Sequence, residues 1–193
     1  RDFLGMVTTA GVAAGACACA VPFVQSLAQQ DSASAHLPVD VDISRLAPGQ
    51  QMTAVWQGKP VFILRRTPED LKQLQEAALI ADLRDPESSV LQQPSYAKNW
   101  HRSLVPEYGV YVGVCTHLGC VPVYEGATGG AKNGRYNCPC HGSKFDLAGR
   151  VRKSVPAPYN LPVPPHVLVN AATLRLGESP KGENFDFSSI VQI

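Results

Sequence analysis

Four of the six cysteines and two of the five histidines of the chain lie in two short stretches. The first is CTHLGC at 115–120 and the second is CPCHGS at 138–143. Each pairs a cysteine with a histidine two or three residues later, and each contains a second cysteine. Thiolates and imidazoles are ligands that transition metals take in proteins. The spacing therefore predicts two loops that hold one metal ion or a small cluster.

Other interpretations of the same residues are open at this point. The plainest is a set of disulfides and surface histidines, but two matched Cys/His pairs are too regular for it. A structural zinc site with two cysteine and two histidine ligands leaves Cys120 and Cys140 without a role. Cys140 could also be a third ligand of its loop, although its place between two ligands makes that geometrically awkward. Analysis for iron and acid-labile sulfide separates a cluster from zinc.

Taken together, the two stretches resemble the cluster-binding sequences of the Rieske [2Fe-2S] protein of quinol–cytochrome c oxidoreductases, the bc1 complexes. The resemblance extends from an apolar N-terminal segment through RRTPEDL at 65–71 to a proline-rich segment at 156–165. It implies four cluster ligands, which are Cys115, His117, Cys138 and His141. It also implies that Cys120 and Cys140 form a disulfide between the loops.

The chemistry of mixed ligation agrees with this resemblance. A [2Fe-2S] centre with four thiolate ligands has a net charge of about −2 when oxidised. Two neutral imidazoles in place of two thiolates bring that charge to about zero, so an electron is added more easily and the potential rises to about −150 to +300 mV. Each imidazole binds iron through one nitrogen and leaves the other free to exchange a proton. The resemblance implies that His141 accepts the hydrogen bond and proton of a quinol.

Two residues after the second stretch are expected to tune the cluster. The resemblance implies that Ser143 donates a hydrogen bond to a bridging sulfide, which stabilises the reduced cluster and raises its potential. Phe145 stands where many relatives carry a tyrosine whose hydroxyl bonds a ligand cysteine. Phenylalanine cannot make that bond, so we predict a lower potential than in a matched tyrosine protein. A plain turn serine is the alternative for Ser143.

Two further features are expected beside the cluster. The resemblance implies that Leu118 is exposed and contacts the quinol-oxidising pocket of cytochrome b; burial within the domain is the alternative. PAPYNLPVPP at 156–165 resembles the proline loop that covers the cluster, with Pro156 and Pro158 limiting its flexibility. Ser154 and Val155 precede this loop where some relatives have a single glycine.

The fold class implied by the resemblance is mainly β: antiparallel sheets with a cluster-binding subdomain at about 113–160, plus one N-terminal transmembrane helix. Alternating or apolar runs predict strands in VDVDIS, MTAVW, PVFILR and YGVYVGV, and a hairpin in HVLVN and ATLRL. TPEDLKQLQEAALIADL at 67–83 has helical character. Thr67 is the predicted N-cap, with Pro68 at the first helical position.

The N-terminal segment carries no charged residue from Phe3 to Gln30. As a helix, 3–27 is roughly 37 Å long at ~1.5 Å per residue, enough to cross a hydrocarbon core of ~30 Å. This length favours a retained anchor over a cleaved signal peptide. Arg1-Asp2-Phe3-Leu4 resembles the tail of a twin-arginine export signal. Small packing side chains are the interpretation of Cys17 and Cys19.

These features predict an anchor at 1–28, a flexible hinge at 29–38 and a [2Fe-2S] head domain at 39–193. The remaining histidines have no cysteine at ligand spacing and are interpreted as surface or structural; they are His36, His101 and His166. The net charge of +1, with no Lys/Arg run, gives no support to nucleic-acid binding.

The predicted function is electron transfer from quinol, in a pocket of cytochrome b, to cytochrome c1. The expected setting is a dimeric complex in the lipid of a bacterial inner membrane, with a cytoplasmic N-terminus and a periplasmic head. One alternative is the Rieske subunit of another respiratory enzyme, such as arsenite oxidase. A zinc-stabilised, membrane-tethered binding module is another. A Rieske ferredoxin or oxygenase domain is disfavoured because such domains normally lack the disulfide cysteines and the anchor.

Overall fold

The computed structural model describes residues 2–28, 37–126 and 134–191, and the chain divides into two compact units, Arg1–Leu37 and Pro38–Ile193. The first unit contains helix α1, Asp2–Ala28, with Pro22 inside it. Its stretch Asp2–Gln25 has a mean hydropathy of 1.8 and is long and apolar enough to cross a membrane. The helix is therefore a candidate membrane anchor. Of the predicted hinge, residues 29–36 lie outside the described residues.

The second unit is built from antiparallel strands. In chain order they are β1 Val39–Asp42, β2 Gln51–Trp56, β3 Lys59–Arg65, β4 Tyr108–Val112, β5 Val123–Glu125, β6 Arg135–Asn137, β7 Lys144–Phe145, β8 His166–Asn170 and β9 Thr173–Leu176. They form three sheets with the orders β1-β9-β8, β2-β3-β4 and β5-β6-β7. The predicted mainly β fold is confirmed, as is the hairpin of β8 and β9.

Strand β3 contributes side chains to both hydrophobic cores of the second unit. Side chains alternate between the faces of a strand. Val61 and Ile63 are buried in a core with side chains of β1 and β9, such as Val41 and Leu174. Phe62 and Leu64, on the opposite face, belong to a second core that also contains the two buried ligand cysteines. The middle sheet is therefore covered on both sides, and its second core supports the cluster-binding loops.

The helical character predicted at 67–83 is divided between two short helices, α2 Pro68–Gln73 and α3 Ala77–Ala81. The predicted N-cap is confirmed: Thr67 accepts from the N–H of Asp70, and the Asp70 carboxylate accepts from the N–H of Thr67. At the break between the two helices, Leu74 O accepts from the buried Arg150 Nη2 at 2.8 Å. Short 3-10 helices follow at Ser95–Ala97 and Phe187–Ser189.

Three arginines lie buried beneath the cluster-binding segment: Arg66, Arg102 and Arg150. The Arg102 guanidinium donates to backbone oxygens of Ala148, Gly149 and Leu161 and to Gln93 Oε1, over 2.8–3.3 Å. Burial lowers the pKa of Arg102 to about 10, so it is cationic at neutral pH. Arg150 pairs with the buried Asp146 at 2.7 Å. Sequence patterning did not predict this network.

Candidate metal centre

The first Cys/His loop connects β4 to β5 and is closed by its own backbone. The N–H of Cys115 donates to Cys120 O at 2.7 Å, and Cys115 O accepts from the N–H of Gly119 at 3.0 Å. Gly119 has a φ of +82°, which an L side chain rarely adopts. A glycine at this position lets the chain turn back while the histidine between the two cysteines stays at the tip.

The second loop, between β6 and β7, repeats the same backbone pattern. The N–H of Cys138 donates to Ser143 O at 2.8 Å, and Cys138 O accepts from the N–H of Gly142 at 2.9 Å. Gly142 has a φ of +75°. The glycine is four residues after the cysteine in both loops, so the two stretches are structural repeats as well as sequence repeats. His117 and His141 therefore occupy comparable loop tips.

The two loops bring the four candidate ligands together. The rings of His117 and His141 have centroids 4.7 Å apart and planes at 87° to each other. Cys115 and Cys138 are buried, with 1% and 2% of their surface exposed. His117 is half-buried, whereas His141 is exposed. The arrangement has two sulfurs on the protein side and two imidazoles toward solvent.

The local polarity fits a cationic centre bound between these side chains. Burial raises the pKa of the Cys115 thiol; the N–H of His117 opposes this rise, the Cys138 thiol adds to it, and the Ser143 hydroxyl opposes it. His117 Nδ1 is buried and has no hydrogen-bond partner among the described residues. A buried imidazole nitrogen without a partner is costly, and a metal that takes it as a ligand removes that cost. The donor set fits a [2Fe-2S] cluster, and His117 Nδ1 is a candidate ligand atom.

The two remaining cysteines of the loops are joined as a disulfide, Cys120–Cys140, with Cα atoms 6.6 Å apart. The Sγ atoms of Cys120, Cys138 and Cys140 lie within 4.8 Å of one another. Two of those three sulfurs belong to the disulfide, so Cys138 alone offers a thiolate. The bridge thus ties the two loops together directly beside a candidate ligand. Cys17 and Cys19 are exposed on α1, and neither belongs to a group of three candidate metal ligands among the described residues.

The proline loop is fixed to both Cys/His loops. Thr116 Oγ1 donates to Tyr159 O at 2.5 Å, which links the loop to the first Cys/His loop. Ser143 Oγ accepts from the N–H of Ala157 at 3.0 Å, which links it to the second. Within the loop Ala157 is buried, Pro156 is exposed and Pro158 is half-buried. Thr116 and Ala157 were missed from the sequence, although a threonine between two ligands is a signal for a buried bridging hydroxyl.

The other residues singled out in the sequence differ in their exposure to solvent. Phe145 is completely buried in the core that contains the ligand cysteines. Leu118 is 68% exposed, so the alternative that it is buried in the domain is wrong. His101 and His166 are buried, which agrees with a structural role, and burial lowers the pKa of each to about 4. His36 lies outside the described residues.

The chain is similar to known proteins over most of its length. The Rieske [2Fe-2S] domain model matches residues 38–165. The ubiquinol-cytochrome c reductase iron-sulfur subunit of Allochromatium vinosum is 46% identical over 187 residues, covering 92% of this chain and 88% of the relative. Proteins of the same name from Blastochloris viridis and Rickettsia felis are 42% and 40% identical, each covering 92% of both chains. A solved chain titled "Hyperthermophilic respiratory Complex III" covers 86% of this one at 23% identity and a TM-score of 0.47.

The domain match and the curated relatives agree with the donor set described above. The family model is that of a [2Fe-2S] domain and includes both Cys/His loops, which leaves the zinc interpretation without support. The chain belongs to the Rieske [2Fe-2S] family and, within it, to the iron-sulfur subunits of ubiquinol–cytochrome c reductases.

Proposed function

We propose that the head domain, residues 39–193, binds its [2Fe-2S] cluster between the loops of 115–120 and 138–143. The thiolates of Cys115 and Cys138 would hold one iron, and the imidazoles of His117 and His141 would hold the other. The unpaired Nδ1 of His117 supports a ligand role for that residue. The burial of both cysteines, with His117 half-buried and His141 exposed, supports a sulfur side and an imidazole side. The disulfide Cys120–Cys140 keeps the loops in register with each other.

When bound, the cluster supplies a one-electron acceptor of raised potential. The chain supplies the proton chemistry. The ring nitrogen of His141 that does not bind iron accepts a hydrogen bond from a quinol hydroxyl and then holds its proton, because His141 is the exposed member of the pair. Leu118, which follows His117 in the chain, is exposed and contacts the apolar wall of the quinol pocket.

The chain acts as the electron-transfer subunit of a quinol–cytochrome c oxidoreductase and is not catalytic alone. It takes an electron from quinol in a pocket of cytochrome b and delivers it to cytochrome c1, within a dimeric complex in membrane lipid. The observation that carries this assignment is the identity of 46% to an iron-sulfur subunit of ubiquinol-cytochrome c reductase over 92% of this chain.

Helix α1 anchors the protein in the bacterial inner membrane, with the N-terminus in the cytoplasm and the head in the periplasm. The apolar stretch Asp2–Gln25 supports the anchor, and the disulfide supports an oxidising compartment for the head. Residues 29–38 form the hinge on which the head moves between its two partners. Replacing part of this hinge with a run of prolines should slow turnover of the complex, and unchanged turnover would contradict the movement.

Low-temperature electron paramagnetic resonance (EPR) of the dithionite-reduced full chain tests the ligand set. A rhombic spectrum with the low average g value of mixed Cys/His ligation is expected, and a redox titration of that signal gives the midpoint potential. His141→Cys should abolish or shift this spectrum, whereas His101→Gln should leave it unchanged. An EPR-silent protein with stoichiometric zinc and no sulfide would overturn the proposal.

A further inference from the structure

A polar cavity of about 460 Å³ opens on the head domain between β6, β7 and the segment that follows Val151. Its lining is Asp82, Arg135, Lys144, Arg152, Lys153, Ser154 and Val155. Clefts that bind small ligands have volumes of about 300–1,000 Å³, so this one is large enough for a small solute with its water. No part of the electron-transfer function described above uses it.

The charge of the cavity is positive even after its ion pairs are counted. Arg152 pairs with Asp82 at 2.8 Å, and Arg135 pairs with Glu125 at 2.7 Å. Lys153 Nζ donates to a backbone oxygen, Ala81 O, at 2.7 Å, which leaves its charge uncompensated. Lys144 is exposed, and no carboxylate of the described residues is within ion-pair distance of it.

One donor in this lining lacks a partner in the described part of the chain. Arg152 Nε is buried and makes no hydrogen bond, although the same guanidinium reaches Asp82 through Nη1. A buried N–H without an acceptor is costly. Because Arg152 Nε has no accessible surface, a ligand in the cavity would meet the exposed part of the guanidinium, which belongs to the 22% of the side chain that is accessible. Arginine presents its N–H groups in a planar fork that matches two oxygens of one oxyanion.

We propose that this cavity is a binding site for a phosphate group. The two uncompensated lysines match a dianion, which a phosphate monoester approaches at neutral pH. The accessible part of the Arg152 guanidinium and the hydroxyl of Ser154 supply hydrogen-bond donors for its oxygens. The lysines come from strand β7 and from the segment after the isolated bridge of Phe145 with Val151, so folding of this sheet assembles the site.

The backbone of β7 connects the proposed phosphate site to the second Cys/His loop. Lys144 follows Ser143, and Lys144 pairs with Asn137, the residue before Cys138. Lys144 O also accepts from the N–H of Arg152 at 3.0 Å, so β7 joins the cavity to the loop. A bound anion adds negative charge near a centre that gains an electron, and this charge opposes reduction. Phosphate should therefore lower the midpoint potential of the cluster.

The test uses the full chain with its cluster, in neutral detergent, titrated with inorganic phosphate by calorimetry at constant ionic strength in chloride. Saturable binding with one phosphate per chain is expected. Lys144→Gln, an exposed change that leaves the core untouched, should weaken it about tenfold, because hydrogen bonds to charged groups have that effect. Arg152→Gln should weaken it at least as much. Lys181→Gln, exposed and outside the cavity, is the matched control and should bind as the parent chain does.

A second experiment identifies the source of the phosphate group. The chain is placed in nanodiscs of phosphatidylcholine, with or without phosphatidic acid, whose headgroup is a phosphate monoester, and the phosphate titration is repeated. Loss of phosphate binding only with the anionic lipid indicates a lipid headgroup, whereas unchanged binding indicates a soluble phosphate. Absence of saturable binding in detergent, or equal binding by the parent chain, Lys144→Gln and Arg152→Gln, would overturn the proposal. Intact cluster absorbance in each variant excludes misfolding as the cause.

Discussion

The hydroxyl oxygen of Ser143 accepts a hydrogen bond from the backbone N–H of Ala157 at 3.0 Å, and the same hydroxyl lowers the pKa of the Cys115 thiol. Because its oxygen accepts from the proline loop, the hydroxyl proton is left to donate to the sulfur of Cys115, a candidate cluster ligand. A donor held in this direction would stabilise the electron-rich state of a bound centre. The proline loop therefore orients the Ser143 hydroxyl.

Ser143→Ala removes this oriented donor. We expect the midpoint potential to fall by about 40 mV, which corresponds to one hydrogen bond of ~1 kcal/mol for a one-electron couple. EPR-monitored redox titration measures the change. Ser89→Ala, an exposed serine outside the site, should leave the potential unchanged. An equal potential in Ser143→Ala and the parent chain would mean that the hydroxyl acts only as a turn residue.

Phe145→Tyr adds a hydroxyl to a ring that is completely buried in the same core as Cys115 and Cys138. If that hydroxyl donates to a ligand sulfur, the potential should rise by an amount comparable to the loss in the serine variant, about 40 mV. The matched control is Phe62→Tyr in the same core. It should reduce stability without moving the potential. A Phe145→Tyr protein with no rise would refute the tuning role of this position.

Removing the hydroxyl group should have different effects on the free energy of unfolding at two buried tyrosines. Tyr136 Oη is buried without a hydrogen-bond partner among the described residues. Tyr111 Oη accepts from Arg66 Nη2 and donates to Leu147 O at 3.2 Å. Tyr136→Phe should be neutral or stabilising, whereas Tyr111→Phe should lower the free energy of unfolding by about 1–3 kcal/mol. Urea unfolding measures both, and a larger loss in Tyr136→Phe would contradict this account.

Ser154 adopts a φ of +56°, in the left-handed region that L residues occupy at a cost. Ser154→Gly should raise the free energy of unfolding by up to about 1 kcal/mol. Ser154→Ala keeps the Cβ atom and should give no gain. Thermal unfolding of both variants distinguishes backbone strain from loss of the hydroxyl.

His166 should make stability depend on pH. It is buried, and its Nδ1–H donates to Pro164 O at 2.8 Å. Burial lowers the pKa of His166 to about 4, against ~6.5 in an unfolded chain. Between these values the unfolded state binds more protons, so stability falls as pH decreases from ~6.5 to ~4, by about 3 kcal/mol.

Urea unfolding at about pH 7.5 and about pH 5 measures this effect. His166→Gln keeps a donor for Pro164 O and should reduce the loss of stability between the two conditions. The pKa of the buried His101 is also lowered to about 4, mainly by burial. His101 therefore contributes a similar dependence of stability on pH, and His166→Gln retains that contribution. An unchanged slope in His166→Gln would show that this histidine does not titrate as described.

Strand periodicity and the helix cap were predictable because they depend on neighbouring residues. The alternation along β3 and the capping box of Thr67 with Asp70 are local patterns of this kind. Leu118 was expected to be exposed, and the structure agrees. The contact of Arg150 with Leu74 O at the break between α2 and α3 was not predictable, because the two residues are 76 positions apart in the chain.

Within the site, residue types and spacing predicted two loops but not how a third segment holds them. The link from Thr116 to Tyr159 and the link from Ser143 to Ala157 join residues 43 and 14 positions apart. Neither pair has a sequence signature, because a backbone group is one partner in each. Such contacts follow from tertiary packing, which a local pattern does not encode.

The carbonyl oxygens around Arg102 come from the turn after β7, Ala148 and Gly149, and from the proline loop, Leu161. Arg102 Nε is already buried without a partner among the described residues, so losing further acceptors would leave more of a buried cation unpaired. Withdrawing either segment should therefore be costly. The turn after β7 and the proline loop should not open separately while the rest of the head domain stays folded, and the domain should unfold in one cooperative step.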